Sequence, residues 1–235
     1  MELAVAFLAV LLGSYIQSSI GFGLAIIAAP LLYILDPAYV PAPVTLCAFT
    51  LSLANAWSHR HEISFQGLKY AIIGRVPGSI AGAGLLLWID KDLLALWLGI
   101  SVLFAVIVSL RGLVLAPSRN TLLTAGFLSG FMGTSSSIGG PPMALVMQHQ
   151  EARYIRGNLS AFFVVSCLMT LAMLAPIGYF GLRQILLGLP LLPATLLGYW
   201  IARRTWHRLS SRNLRHFSLL LCSVAGTLAV LSYWF

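Results

Sequence analysis

Apolar residues gather along this chain in runs at about 39–57, 67–88, 93–110, 158–176, 182–201 and 214–235, joined by polar connections of about 5–15 residues. One helix needs roughly 17–25 apolar residues to cross a ~30 Å hydrocarbon core, so each run predicts a transmembrane helix. Two further apolar stretches, 3–35 and 120–150, are interrupted. Their arms, 3–16 with 24–35 and 120–133 with 142–150, reach roughly 21, 18, 21 and 14 Å at 1.5 Å per residue, so no arm is expected to span alone. Joined end to end, each pair would reach roughly 45–50 Å, too long for one ordinary crossing. A re-entrant hairpin that enters and leaves on the same side fits these lengths better.

The two interruptions resemble each other. Ser18-Ser19-Ile20-Gly21-Phe22-Gly23 recurs as Ser136-Ser137-Ile138-Gly139-Gly140-Pro141, 118 positions later in a chain of 235. Pro77 and Gly82 recur as Pro193 and Gly198, 116 positions later. Two matches in the same order at nearly equal spacing predict a duplication. The halves are 1–117 and 118–235, each a broken segment followed by three spans, within one membrane domain. The expected fold is an all-α polytopic membrane protein of about eight hydrophobic segments. A re-entrant segment gives each half an odd number of crossings, so the repeats are expected to be inverted.

Composition excludes an ordinary soluble domain. Hydrophobic residues make up 59% of the chain and charged residues 9%, with a mean hydropathy of +0.92; globular domains carry about a quarter charged residues. The net charge of +8 would suit a nucleic-acid partner, but the basic residues sit at span ends rather than along one polar face. Membrane orientation accounts for them. With hairpins, one face collects Arg60, Lys69, Arg111, Arg119, Arg153, Arg156, Arg203, Arg204, Arg208, Arg212 and Arg215, and the other only Lys91 and Arg183. That 11-to-2 asymmetry marks a cytoplasmic face; if each broken segment crossed once, the count would be 5 to 8 and orient nothing. Both termini are then expected outside a bacterial-type inner (plasma) membrane. Glu2 stands where a signal peptide would be basic, and no small-residue cleavage site follows, so the N-terminus reads as mature protein.

Ionisable side chains are missing from the spans in a telling way. Glu2, Asp36, Glu62, Asp90, Asp92 and Glu151 all fall at ends or in loops. A carboxylate proton relay, a membrane cation site and an acidic channel ring are therefore not expected. His59, His61, His149, His207 and His216 also lie in loops or near span ends, and His59 with His61 could form at most a weak metal pair. Cys47, Cys167 and Cys222 are isolated in apolar spans and read as small buried hydrophobes. No HExxH or GxSxG is present. Neither an enzyme, a catalytic residue, a metal nor a cofactor is expected.

Arg75 is the exception, about nine residues into 67–88, roughly 13 Å from the helix start. A buried arginine is costly unless paired or wetted. With no acid at comparable depth, its partner is a bound anion or backbone carbonyls; snorkelling toward the cytoplasmic face near Lys69 is the alternative. The broken motifs offer a complement to that charge. Glycine permits unusual backbone and serine supplies hydroxyls, and the half-helices restart near Gly23-Leu24 and at Pro141-Pro142. Their N-termini, Gly21 to Ala25 and Gly139 to Ala144, would turn free N–H groups and positive dipole ends toward one region, an anion site. Alternatively, Gly and Ser there serve close helix packing. The candidate substrate-binding residues are Ser18, Ser19, Gly21, Gly23, Arg75, Ser136, Ser137, Gly139 and Gly140. Asn55 and Asn158 could line an exit path or cap helices. Gly74, Gly78 and Gly82, with Gly126 and Gly130, have small-xxx-small spacing that could mark a homodimer face or pack helices within one chain.

At Gly13 through Pro30, with its Ser-Ser-Ile-Gly-Phe-Gly core, and Gly126 through Pro142, with Gly-Thr-Ser-Ser-Ser-Ile-Gly-Gly-Pro-Pro, the chain resembles the TauE/SafE family of sulfite-exporter-like membrane transporters. Length, duplicated halves and short basic loops agree along nearly the whole chain; Phe22 stands where the family often has glycine. The resemblance implies about eight hydrophobic segments and export of sulfite or organosulfur anions such as sulfoacetate. The expected function is thus a carrier of a small anion at a midplane site by alternating access, with the anion and the lipid bilayer as partners and no nucleic acid. The competing expectation is an accessory or sensor membrane protein that binds a partner without moving solute.

Overall fold

The computed structural model describes residues 2–110, 115–148, 150–205 and, between 219 and 231, positions 219–220, 223–224, 226–228 and 230–231. Most of the expected last span, 214–235, lies outside these residues, as do Arg111, His149, His207, Arg208, Arg212, Arg215, His216 and Cys222. Among the described residues the chain is helical throughout, without strands. The order is α1 (Glu2–Ile20), α2 (Leu24–Leu35), α3 (Ala42–Ser58), α4 (Phe65–Trp88), α5 (Lys91–Leu110), α6 (Arg119–Ser136), α7 (Gly140–Met147), α8 (Ala152–Leu174), α9 (Leu182–Gly188) and α10 (Leu192–Thr205). A short 3₁₀ turn, Leu189–Leu191, joins the last two, so Leu182–Thr205 forms one apolar span.

The first broken segment departs from its expected length. α1 runs on through Ser18 and Ser19 to Ile20, and by length and composition it can cross a membrane. Its 19 residues make roughly 28 Å. The helix survives its serines because the Ser19 hydroxyl donates to the Tyr15 carbonyl one turn back, at 2.8 Å, a common way for serine to sit inside a helix. α6 likewise continues to Ser136, whose hydroxyl donates to the Met132 carbonyl at 2.7 Å. The breaks are therefore short: Gly21-Phe22-Gly23, and Ser137 to Gly139.

At each break the chain turns back. Gly21 and Gly23 take φ values of 100° and 132°, and Ser137 sits in the left-handed region at 64°. Such geometry is the province of glycine and, at lower cost, small polar residues. α2 then runs back along α1, with Gly13 so close to Leu24 that a Cβ there would lie 2.9 Å from the Leu24 carbonyl oxygen. Glu2 and Asp36, at opposite ends of this pair, both lie within electrostatic reach of Tyr39. The α1–α2 unit thus begins and ends at one end of the bundle. Met147, closing α7, packs in the cluster that holds Leu122 near the start of α6, so the second unit does the same.

Helix pairing runs between the halves. α1 packs on α10, α6 on α4, and α3 on α8, while Gly99 of α5 faces Gly226 and Val230. The α4–α6 pair is the tightest approach. A Cβ on Gly74, Gly78, Gly126 or Gly130 would fall 2.1, 2.1, 2.0 and 2.5 Å from carbonyl oxygens of the opposite helix. The small-xxx-small series is therefore filled within the chain, and the sequence ground for a dimer face disappears with it.

Large apolar side chains on the periphery, among them Leu8, Trp57, Ile80, Trp88, Leu186 and Trp200, are exposed, as a lipid-facing surface requires. The Arg60 and Arg204 guanidiniums lie over the Trp57 and Trp200 rings at 5.4 and 3.8 Å, while Arg119 and Lys69 both cover Tyr70. These contacts gather basic residues at one end of the bundle, together with Arg156 and Arg203. Arg183 lies at the other end, paired with Asp36 at 3.5 Å.

Candidate functional site

The two breaks meet. Gly140 faces Phe22 so closely that a Cβ on it would touch the Phe22 Cβ at 3.2 Å. Around that contact lies a cavity of about 40 Å³, lined from α1, α2, α3, α4, α8 and the second break. One water requires roughly 10–15 Å³ on this measure, so the space suits a few waters or a small anion. Gln17 fixes one wall: its side-chain oxygen accepts from the Leu24 N–H at 3.0 Å and caps α2 from inside the membrane domain. The next N–H groups, on Ala25 and Ile26, belong to a first helical turn and have no carbonyl upstream to accept them. Both residues line the cavity.

The opposite wall is built differently. α7 starts with Gly140, Pro141 and Pro142, and the prolines bring no N–H. That half-helix offers fewer backbone donors than the motif alone led us to expect. Arg75 stands on the same side. It is 3% exposed, and a Cβ on Gly133 would lie 2.8 Å from its Nη2. Its guanidinium donates to the Ser129 hydroxyl (2.8 Å), the Thr170 hydroxyl (3.0 Å) and the Ser166 carbonyl (3.3 Å). Ser129 in turn donates to the Gly139 carbonyl at 2.5 Å, so Arg75 also steadies the second break. All three acceptors are neutral, and Nε has no partner among the described residues. A full positive charge thus faces the cavity without a carboxylate, stacked over Phe162 at 5.6 Å. It does not snorkel.

Of the nine residues singled out in the sequence, Gly23, Arg75, Ser137, Gly139 and Gly140 line this cavity. Ser137 also donates to the Pro41 carbonyl at 2.7 Å and pairs with the Thr45 hydroxyl at 3.2 Å. The other four are elsewhere. Ser19 and Ser136 direct their hydroxyls to their own helices, as described above. Gly21 backs onto Leu159 and Arg156. Ser18 accepts from the Asn55 carboxamide at 3.2 Å and lines a separate chamber at the basic end. Asn158 ties the start of α4 to α8, accepting from the Ser64 N–H at 2.8 Å and donating to the Glu62 carbonyl at 3.0 Å. Phe22 of the motif also lines the cavity, as do residues outside the motif: Gln17, Thr45, Phe163, Ser166 and Thr170. The last three had a legible signal, since 163, 166 and 170 recur on one face of a helix. No group of three or more potential metal ligands occurs among the described residues.

A bundle that is all-helical among the described residues, with several apolar spans, defines the class as a multi-pass membrane protein. The chain belongs to the TauE/SafE family: the model of the family described as sulfite exporter TauE/SafE matches residues 6–228. No curated protein and no solved structure matches it.

Proposed function

We propose that this protein exports a small sulfur oxyanion or organosulfonate across the inner membrane, binding it in the cavity between the two breaks. One observation carries the reading: Arg75 is buried at that cavity with only neutral partners. A charge so placed is stabilised by a mobile counter-ion of opposite sign, and a binding anion would find it already desolvated. Ala25 and Ile26 would donate N–H groups from one half-helix, with the Gly140 N–H and the Ser137 hydroxyl opposite and Arg75 supplying the charge. The family's description as sulfite exporters suggests the substrate class.

The pairing of α1 with α10 and of α6 with α4 is what two related, inverted halves would produce, each hairpin packing on the other half's second span. Alternating access would follow as one half rocks against the other around the cavity. The basic end is assigned to the cytoplasm by its charge, with both termini outside. The inside-negative potential would then favour anion exit by about 2.3 kcal/mol per charge per 100 mV.

The experiment is efflux of labelled sulfite, sulfoacetate and sulfate from proteoliposomes. At least one of these anions is expected to leave faster than from protein-free vesicles, and movement of none contradicts the proposal. Capture of a partner protein without flux would favour the accessory reading instead. Orientation has its own check in single cysteines at positions 36 and 151. Position 36 is expected to react with an impermeant thiol reagent from outside and position 151 only from inside; reaction from one side for both would remove the hairpins.

A further inference from the structure

We infer that the chamber at the basic end is a second oxyanion site, an antechamber that holds the transported anion before it reaches the midplane cavity. The inference rests on the carrier reading above. The chamber has a volume of about 300 Å³ and is lined by Ser18, Asn55, Ser58, His59, Arg156 and Arg203, with Ala202 behind. Two guanidiniums, an imidazole, a carboxamide and two hydroxyls face it, and among the described residues no carboxylate lines it. Glu62 is near, packed against Gly157, but is not part of the lining. Asn55 is buried and held in place, donating to Ser18 and to the Leu51 carbonyl at 3.1 Å. Arg60, Lys69 and Arg119 lie at the same end of the bundle. A concave, low-dielectric pocket with charges of one sign concentrates counter-ions by about 10- to 1,000-fold.

Position gives the chamber its role. The partition between it and the midplane cavity includes the first break. A Cβ on Gly21 would meet Leu159, Ile155 and Arg156, the last of which lines the chamber, while Phe22 and Gly23 line the cavity. Arg156 also grips this wall, Nη1 donating to the Ser19 carbonyl at 3.3 Å. An anion resting on Arg156 and Arg203 would therefore compete with a carbonyl of the partition for the same donor. Loading the chamber and loosening the break become one event, and the anion then has a three-residue wall to pass.

A free sulfonate or sulfur oxyanion and the phosphate of an anionic lipid share the chemistry such a chamber takes, so the experiment separates them. In full-length protein with Cys47, Cys167 and Cys222 replaced by alanine, Ser58→Cys serves as reporter in phosphatidylcholine nanodiscs. Its reaction with a sulfonate-bearing methanethiosulfonate is compared with that of a trimethylammonium one, each normalised to free cysteine. The anionic reagent is expected to be favoured by about 10-fold or more, and the preference to fall toward one in Arg156→Gln/Arg203→Gln. Millimolar sulfate or methanesulfonate is expected to slow the reaction. Should Ser58→Cys fail to fold, His59→Cys gives the same reading. Equal rates with both reagents and no protection by either anion overturn the antechamber, and so does protection by phosphatidylglycerol alone. If those results appear while proteoliposome flux persists, only the antechamber falls; if no anion is transported, the carrier reading falls and the antechamber's role with it.

Discussion

Replacing Arg75 with glutamine is expected to lower anion efflux by about 10- to 100-fold while leaving a folded, monodisperse protein. Glutamine keeps a side chain that can donate to Ser129 or Thr170, but it removes the charge. A hydrogen bond to an ionised group is worth about 1.5–3 kcal/mol, which sets that range in substrate binding. The same substitution also relieves a buried cation of its desolvation cost, so the thermal midpoint is expected to hold or rise. Lysine is the informative companion. It restores charge without the planar fork that reaches Ser129, Thr170 and the Ser166 carbonyl at once, and is expected to recover only part of the efflux. Wild-type efflux in Arg75→Gln would remove the arginine from the site. A collapse of folded yield in both variants would make it a structural clamp on the second break.

Gly78→Ala is expected to be severely destabilising, although it adds one methyl group. That methyl would sit 2.1 Å from the Phe127 carbonyl oxygen, a backbone atom that can retreat only if α4 and α6 separate. Overpacking of this kind costs typically about 1–3 kcal/mol and more when backbone must move. The loss falls on a contact repeated at Gly74, Gly82, Gly126 and Gly130, so separation at one point loosens the whole seam. Gly84→Ala is the control, because nothing lies within 4 Å of a Cβ there. Thermal unfolding followed by size-exclusion chromatography should show a clear drop for Gly78→Ala and none for Gly84→Ala. Equal midpoints would mean that the seam is looser than its geometry.

The spans Pro37–Ser58, Leu68–Trp88, Arg153–Leu174 and Leu182–Thr205 were legible because length and hydropathy alone specify them, whereas Leu93–Ile107 is a shorter apolar helix; the breaks were legible because glycine and serine cluster where the backbone turns. Two features escaped for physical reasons. Ser18 and Ser19 look like part of the break, yet the Ser19 hydroxyl satisfies itself on a carbonyl one turn back and Ser18 meets Asn55, so α1 runs on and its tip lies toward the basic end. The cavity walls come from α3, α4 and α8, whose meeting depends on contacts between halves that no local pattern encodes. Thr45, Ser166 and Thr170 each look like a tolerated polar residue in an apolar span until those helices are placed together. The paired prolines of α7 carried a hint that the motif's symmetry obscured. A half-helix whose second and third residues are prolines has few N–H groups at its start, and Arg75 stands beside it.

Asymmetry is consequently built into a pair of similar motifs. The first break presents backbone donors, through Ala25 and Ile26; beside the second, α4 brings the Arg75 guanidinium. An anion held between them would contact a fixed charge from α4 and a helix terminus from α2, both supplied by residues 1–117.

The most direct test of this account is to see where an anion sits. Selenite has the charge and shape of sulfite and scatters anomalously, so a crystal grown with it would report the site without reference to activity. A single strong selenium peak is expected between the Ala25–Ile26 and Gly140 backbone N–H groups, within contact of the Arg75 guanidinium. A peak elsewhere in the membrane domain, with this cavity empty, would contradict the site on which the account rests.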